Sequence, residues 1–214
     1  MIKINIKNIV KRFKETTVLD NISIDFEEGK IHGLIGRNGS GKTMLLKCIC
    51  GFVPVTSGSI VVDGKTIGKD VDIPENIGII IEAPGFLPQY SGYKNLKLLA
   101  MINNKISKDE IIDSIKKVGL DPEGKKHVGK YSLGMRQRLG IAQAFMEDPD
   151  ILILDEPMNG LDNKGVDDIR KLLMSLKEKG KTILLASHSK EDISILCDTV
   201  RELDNGKIIC ESNR

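Results

Sequence analysis

The stretch Gly36-Arg37-Asn38-Gly39-Ser40-Gly41-Lys42-Thr43 decides the fold. It matches the phosphate-loop pattern G-x-x-x-x-G-K-[ST] at every fixed position. Its flanks fit as well: the apolar run Ile31-His32-Gly33-Leu34-Ile35 before it reads as a strand, and residues 42–52 after it read as a helix. The glycines allow backbone N–H groups to turn inward as an anion-binding nest, reinforced by the positive end of the helix behind. Lys42 is expected to neutralise the β- and γ-phosphates of a nucleotide, and the Thr43 hydroxyl to ligate Mg²⁺.

Working outward, Ile151-Leu152-Ile153-Leu154-Asp155-Glu156 is a short apolar run ending in two carboxylates. A buried strand of this kind delivers Asp155 to the carboxyl edge of a parallel sheet, where ligand sites form. Beside a phosphate loop, Asp155 is expected in the Mg²⁺ shell and Glu156 as the group that polarises the attacking water. The stretch Ser132-Leu133-Gly134 opens a helical run over residues 135–147. On the residues alone it reads equally as a plain N-cap or as a second anion site.

The remaining pattern alternates strands with helices. Residues 2–9, 22–26 and 58–63 read as strands, the last closed by the turn Asp63-Gly64. Residues 77–81 form an apolar, β-branched run suited to a strand buried on both faces. Residues 92–118 carry helical periodicity, with Ser107 and Glu110 as a capping box. A helix over 163–179 separates the strands at 151–154 and 182–186, and the tail reads as a hairpin over 200–210 around Asp204-Asn205-Gly206. The expected fold is α/β: a phosphate-loop nucleotide-binding core, a small antiparallel β subdomain, and an inserted helical subdomain at about 84–147, all in one domain over 1–214.

Composition narrows the function. Apolar residues make up 40% of the 214, enough for a sizeable core. Lys+Arg number 32 against Asp+Glu 30, a balance that argues against a nucleic-acid scaffold. No apolar run nears the ~20 residues that span a bilayer, and the N-terminus alternates like a strand rather than a signal peptide. A soluble intracellular chain is expected, which reaches a membrane only through a partner. Cys48, Cys50, Cys197 and Cys210 fit neither a disulfide framework nor a zinc site, and Cys48 and Cys50 read as small buried hydrophobes. His32 reads as packed and His127 as solvated.

The order of phosphate loop, Tyr131-Ser132-Leu133-Gly134-Met135-Arg136-Gln137-Arg138, Asp155-Glu156 and His188 resembles the ATP-binding subunit of ABC transporters over essentially the whole chain. The family signature is usually L-S-G-G-Q; Tyr131, Leu133 and Met135 depart from it, while Ser132 and Gly134 are kept. The resemblance implies a head-to-tail dimer, homomeric or with a paired ATPase subunit, that holds two ATP molecules. Each lies between the phosphate loop of one subunit (Gly36, Arg37, Asn38, Gly39, Ser40, Gly41, Lys42, Thr43) and Ser132 and Gly134 of the other. It further implies Phe13 stacked on adenine, Asn159-Gly160-Leu161-Asp162 as the loop crossing the dimer interface, and His188 on the γ-phosphate.

Most family members end the strand at 77–81 with a glutamine that touches Mg²⁺ and water; here Glu82 takes that place. Glu82, with Ala83-Pro84-Gly85-Phe86 after it, resembles the subgroup handling bacitracin and lantibiotic-type antimicrobial peptides. The resemblance thus implies a Mg-ATPase on the cytoplasmic face of the membrane. It would drive a separate transmembrane permease, with residues 83–93 pressing on that subunit. Two rival readings are a soluble ABC ATPase acting on a non-membrane complex, and a non-hydrolytic nucleotide-binding regulator, against which Glu156 speaks.

Overall fold

The computed structural model describes residues 1–213; Arg214, part of the expected single domain, lies outside the described residues. Among the described residues there are ten strands and six α-helices, and strands alternate with helices as expected in the parallel core. The strands are β1 (Ile2–Phe13), β2 (Thr16–Glu27), β3 (Ile31–Ile35), β4 (Ser57–Val62), β5 (Lys65–Thr66), β6 (Ile77–Ile80), β7 (Ile151–Asp155), β8 (Thr182–Ala186), β9 (Thr199–Asp204) and β10 (Lys207–Asn213). The helices are α1 (Lys42–Ile49), α2 (Gly92–Asn103), α3 (Lys108–Lys117), α4 (Leu133–Phe145), α5 (Asn163–Glu178) and α6 (Lys190–Leu196).

Two sheets result. One is antiparallel, ordered β2-β1-β4-β5; the other is ordered β10-β9-β3-β8-β7-β6 and is parallel except for β10. Because side chains alternate across a strand, β7 feeds two cores. Ile151 and Ile153 join Leu45, Leu46 and Phe26 between the two sheets and α1. Leu152 and Leu154 join Leu139, Ile141 and Ile169, on the side of α4 and α5. Burial on both faces explains why this strand carries no polar residue before Asp155.

Several element boundaries differ from the sequence expectation, each for a local reason. Strands β1 and β2 extend to a tight hairpin at Lys14, beyond the expected 2–9 and 22–26. Register shifts interrupt their alternation, and Asn8 and Asn21 take left-handed φ of 47 and 53° beside them. The helical pattern over 92–118 is two helices: Asn104, left-handed at φ 50°, ends α2, and the Ser107–Glu110 capping box starts α3. Helix α1 stops at Ile49, before the expected 52, and the left-handed Gly51 lies so close to Asp72 that a Cβ would meet its carbonyl oxygen at 1.9 Å. Helix α6 was not expected at all; it is short, and Ser189 caps it through the Asp192 amide.

Strand β6 is the edge of its sheet, where burial on both faces was expected. Gly78 and Ile80 are buried, whereas Ile77 and Ile79 are only half-buried. Gly78 is where α4 comes closest: a Cβ there would lie 1.8 Å from the Ala144 carbonyl oxygen. Gly78→Ala is therefore expected to lose about 1–3 kcal/mol of stability through overpacking, read as a lower urea midpoint at unchanged slope. An unchanged midpoint would show that α4 shifts freely.

Cys48, Cys50, His32 and His127 behave as structure rather than chemistry. Burial pushes the Cys48 thiol up to about 11 and Cys50 up to about 12, leaving both as inert hydrophobes. His32 is fully buried, with Nδ1 2.7 Å from Thr199 Oγ1 and Nε2 2.8 Å from the Glu27 carbonyl, and burial lowers its pKa. His127 is exposed.

Candidate functional site

The loop over 36–43 links β3 to α1 and wraps back toward the helix start. Gly36 and Gly41 take φ of 147 and 110°. A Cβ on Gly36 would meet the Leu203 carbonyl oxygen at 2.2 Å, so neither its conformation nor its surroundings admit a side chain. The turn between β9 and β10 buttresses the loop: the Gly206 amide donates to the Ser40 carbonyl at 2.9 Å, and Arg37 pairs with Asp204 at 2.9 Å. Lys42, nearly buried, arches over the loop and donates from Nζ to the Gly36 carbonyl at 2.6 Å and the Arg37 carbonyl at 3.2 Å. Among the described residues, buried Ser40 Oγ has no hydrogen-bond partner, a donor left over inside the glycine-rich loop.

Across from α1, β7 ends in Asp155. Thr43 Oγ1 donates to Asp155 Oδ2 at 2.6 Å. Burial raises the Asp155 pKa; the Thr43 hydrogen bond opposes this, while the charges of Glu156 and Glu82 add to it. A hydroxyl and a desolvated carboxylate, side by side beneath a phosphate nest, are the hard-oxygen donors that suit Mg²⁺ bound jointly with phosphates. The residues present fit that ion.

Glu156 follows at a left-handed φ of 49°, its amide donating to the Ala186 carbonyl at 2.9 Å. This turn carries its carboxylate to the end of β8, where Oε2 lies 2.8 Å from His188 Nδ1. Glu82, two residues past the end of β6, also takes a left-handed φ of 63°, and its Oε1 lies 2.6 Å from Lys47 Nζ on α1. Four parallel strands thus deliver Lys42 with Thr43, Asp155 with Glu156, His188 and Glu82 to one edge of the sheet. This is the carboxyl edge, where open α/β sheets bind ligands.

Phe13 lies at the tip of the β1–β2 hairpin, 46% exposed, with Lys11 Nζ 4.6 Å from its ring centroid. The same hairpin reaches the phosphate loop through Val18 and Leu19, which crowd Gly41. Ser132 is the N-cap of α4, accepting from the Met135 amide at 3.2 Å. Gly134 packs on the loop after β7: a Cβ there would lie 2.6 Å from the Gly160 carbonyl oxygen. Ser132, Gly134, Gly160 and Asp162 line a cleft of about 500 Å³, which none of the described phosphate-loop residues shares. The glycine-rich loop over 36–43 and the Ser132–Gly134 segment therefore do not line one cleft.

A family model described as "ABC transporter" matches residues 19–159. The chain belongs to the ABC transporter family. It is an ATP-binding subunit, and ATP hydrolysis is its activity. This ABC ATPase is 49% identical over 96% of its length to an uncharacterized ABC transporter ATP-binding protein, YybJ, of Bacillus subtilis, covering 94% of that protein. It is 40% identical over 98% of its length to the bacitracin transport ATP-binding protein BcrA of Enterococcus faecalis, covering 69% of that protein. Among solved structures, a nucleotide-free ATP-binding cassette from an ABC transporter superposes with a TM-score of 0.87 at 26% identity, over the whole chain and 92% of that structure.

Two neighbours of the site escaped the sequence reading. Gln137, buried on α4, donates from Nε2 to the Glu156 carbonyl at 3.3 Å and so ties the signature helix to the turn that presents Glu156. Its place inside the signature stretch was the available signal. Lys47 had none, since a lysine in the last turn of a helix is ordinary.

Proposed function

We infer that this ABC ATPase powers the movement of antimicrobial peptides, in export or self-immunity, through a separate membrane permease. The observation that carries the reading is the 40% identity, over 98% of the chain, to a bacitracin transport ATP-binding protein. Glu82 at the end of β6, with Ala83-Pro84-Gly85-Phe86 after it, supports the same subgroup.

In this reading the nest of amides over 36–43, with Lys42, binds the phosphates of ATP, and Phe13 stacks on adenine. Thr43, Asp155 and Glu82 would hold Mg²⁺, which when bound would supply charge neutralisation for the phosphates. Glu156 accepts a proton from the attacking water, and His188, hydrogen-bonded to it, contacts the γ-phosphate. Ser132 and Gly134 act on the nucleotide held by a second subunit, so ATP closes a dimer and hydrolysis reopens it. The whole of 1–214 serves as one ATPase domain at the cytoplasmic face of the membrane.

Among the described residues no helix is long and apolar enough to cross a membrane. A groove of about 690 Å³ runs beside β6, lined by Glu82, Ala83, Pro84 and Gly85 and by the exposed apolar residues Phe52, Ile73 and Ile102. Exposed hydrophobes around a groove support docking of an apolar partner segment. The test is affinity capture of the tagged chain from detergent-solubilised native membranes, paired with peptide susceptibility of cells lacking it. Co-purification of a permease and raised sensitivity to bacitracin- or lantibiotic-type peptides are expected. Capture of a soluble complex with unchanged sensitivity would favour a non-membrane partner instead.

A further inference from the structure

We propose that Lys47 is the counter-ion that positions Glu82, allowing a carboxylate to stand at the rim of the site where nucleotide phosphates arrive. The proposal rests on the reading above in which Glu82 faces bound ATP.

Charge at this edge of the sheet is the starting point. Ile80 of β6 pairs with Leu154 of β7, so Glu82 leaves its strand level with Asp155 and Glu156. Three carboxylates from adjacent strands thus share one edge, and an incoming triphosphate adds further negative charge. Lys42 serves the phosphate loop itself. The second cation at this edge is Lys47, five residues further along the same helix, with Nζ 2.6 Å from Glu82 Oε1. Neither side chain makes another hydrogen bond or ion pair among the described residues.

The backbone favours this pairing. Glu82 holds a left-handed φ of 63°, which L side chains rarely adopt. In that conformation the chain leaves β6 with the Glu82 carboxylate against α1. Where an uncharged amide would need no neutralisation, a carboxylate does, and the lysine of α1 supplies it. Both groups are accessible to water, Glu82 at 65% and Lys47 at 25% of the side chain, so the pair adds little to folding. Its consequence falls on nucleotide binding instead.

The test measures the dissociation constant of a fluorescent ATP analogue for the full chain, with and without Mg²⁺, in wild type, Lys47→Gln, Lys47→Arg, Glu82→Gln and the Lys47→Gln/Glu82→Gln double variant. Lys47→Gln should weaken binding by about fivefold at low salt, with the effect shrinking at about 0.5 M salt, while Lys47→Arg retains wild-type affinity. The double variant should bind within about twofold of Glu82→Gln alone, because the lysine has no role once its partner is neutral. Thermal unfolding should stay unchanged throughout. An equal loss from Lys47→Gln in both Glu82 backgrounds would overturn the proposal, as would no loss at all. If instead Glu82→Gln alone alters neither nucleotide affinity nor its Mg²⁺ dependence, the placement of Glu82 beside ATP fails, which is a separate result from an additive double variant.

Discussion

Replacing Glu156 by glutamine is expected to leave ATP binding intact and to slow hydrolysis by about 10²–10⁴-fold, the range of a positioned general base. The geometry isolates the proton-accepting step. The side chain is held by backbone features that glutamine shares: a left-handed φ of 49° and an amide donated to the Ala186 carbonyl. Gln137 donates to the carbonyl of the same residue, so the turn is fixed from the α4 side as well. A glutamine Oε can still meet His188, whose Nδ1 lies 2.8 Å from the carboxylate, but an amide cannot take a proton from water. Phosphate release at saturating Mg-ATP reports the loss, and a fluorescent nucleotide reports the retained affinity. With hydrolysis blocked, ATP should trap a dimer on gel filtration that wild type shows only transiently. Turnover within a few-fold of wild type would remove Glu156 from the catalytic role.

What could be read from the sequence follows from what is local in it. The phosphate loop is one contiguous stretch between a strand and a helix, so its identity needs no tertiary information, and the φ of 147° at Gly36 bears out a backbone only glycine tolerates. Asp155 was equally legible, because the apolar run of a strand buried on both faces stops at its first charge, here the last residue of β7. The pairing of Glu156 with His188 was not, for the two are 32 residues apart and meet only because β7 and β8 are neighbours in the sheet. Nor was the Lys47–Glu82 pair, which depends on a left-handed turn at a glutamate with no glycine to announce it. The misread boundaries of β1, β2 and α2 share this character. Asn8, Asn21 and Asn104 adopt left-handed conformations that asparagine accepts, while the surrounding pattern continues as if unbroken. The edge position of β6 was hidden because one apolar run serves both a half-buried edge and a fully covered interior strand.

The second large effect concerns Ser132. Ser132→Tyr is expected to cut turnover by at least about 100-fold, comparable to losing an oxyanion-type donor set, while leaving the nucleotide affinity of a single chain unchanged. Within its own chain Ser132 does only a modest job: it accepts the Met135 amide at the start of α4. Loss of such a cap costs about 1 kcal/mol and does not unfold a domain of this size. The cleft it lines with Gly134, Gly160 and Asp162 holds none of the described phosphate-loop residues, so a bulky ring there is expected to leave ATP held by the same chain undisturbed. Leu133, 59% exposed beside it, leaves apolar surface facing outward on this rim. If two chains each lend this rim to the other's phosphate loop, the tyrosine blocks both composite sites at once, because a two-fold dimer repeats every defect. The same arrangement makes wild-type turnover per chain rise with protein concentration until dimers saturate. The decisive measurement is phosphate release across a dilution series, for wild type and Ser132→Tyr, alongside nucleotide titrations of each. A per-chain rate that stays constant to the lowest measurable concentration, with Ser132→Tyr still active, would place all of the catalytic machinery within one chain and leave Ser132 as nothing more than the cap of α4.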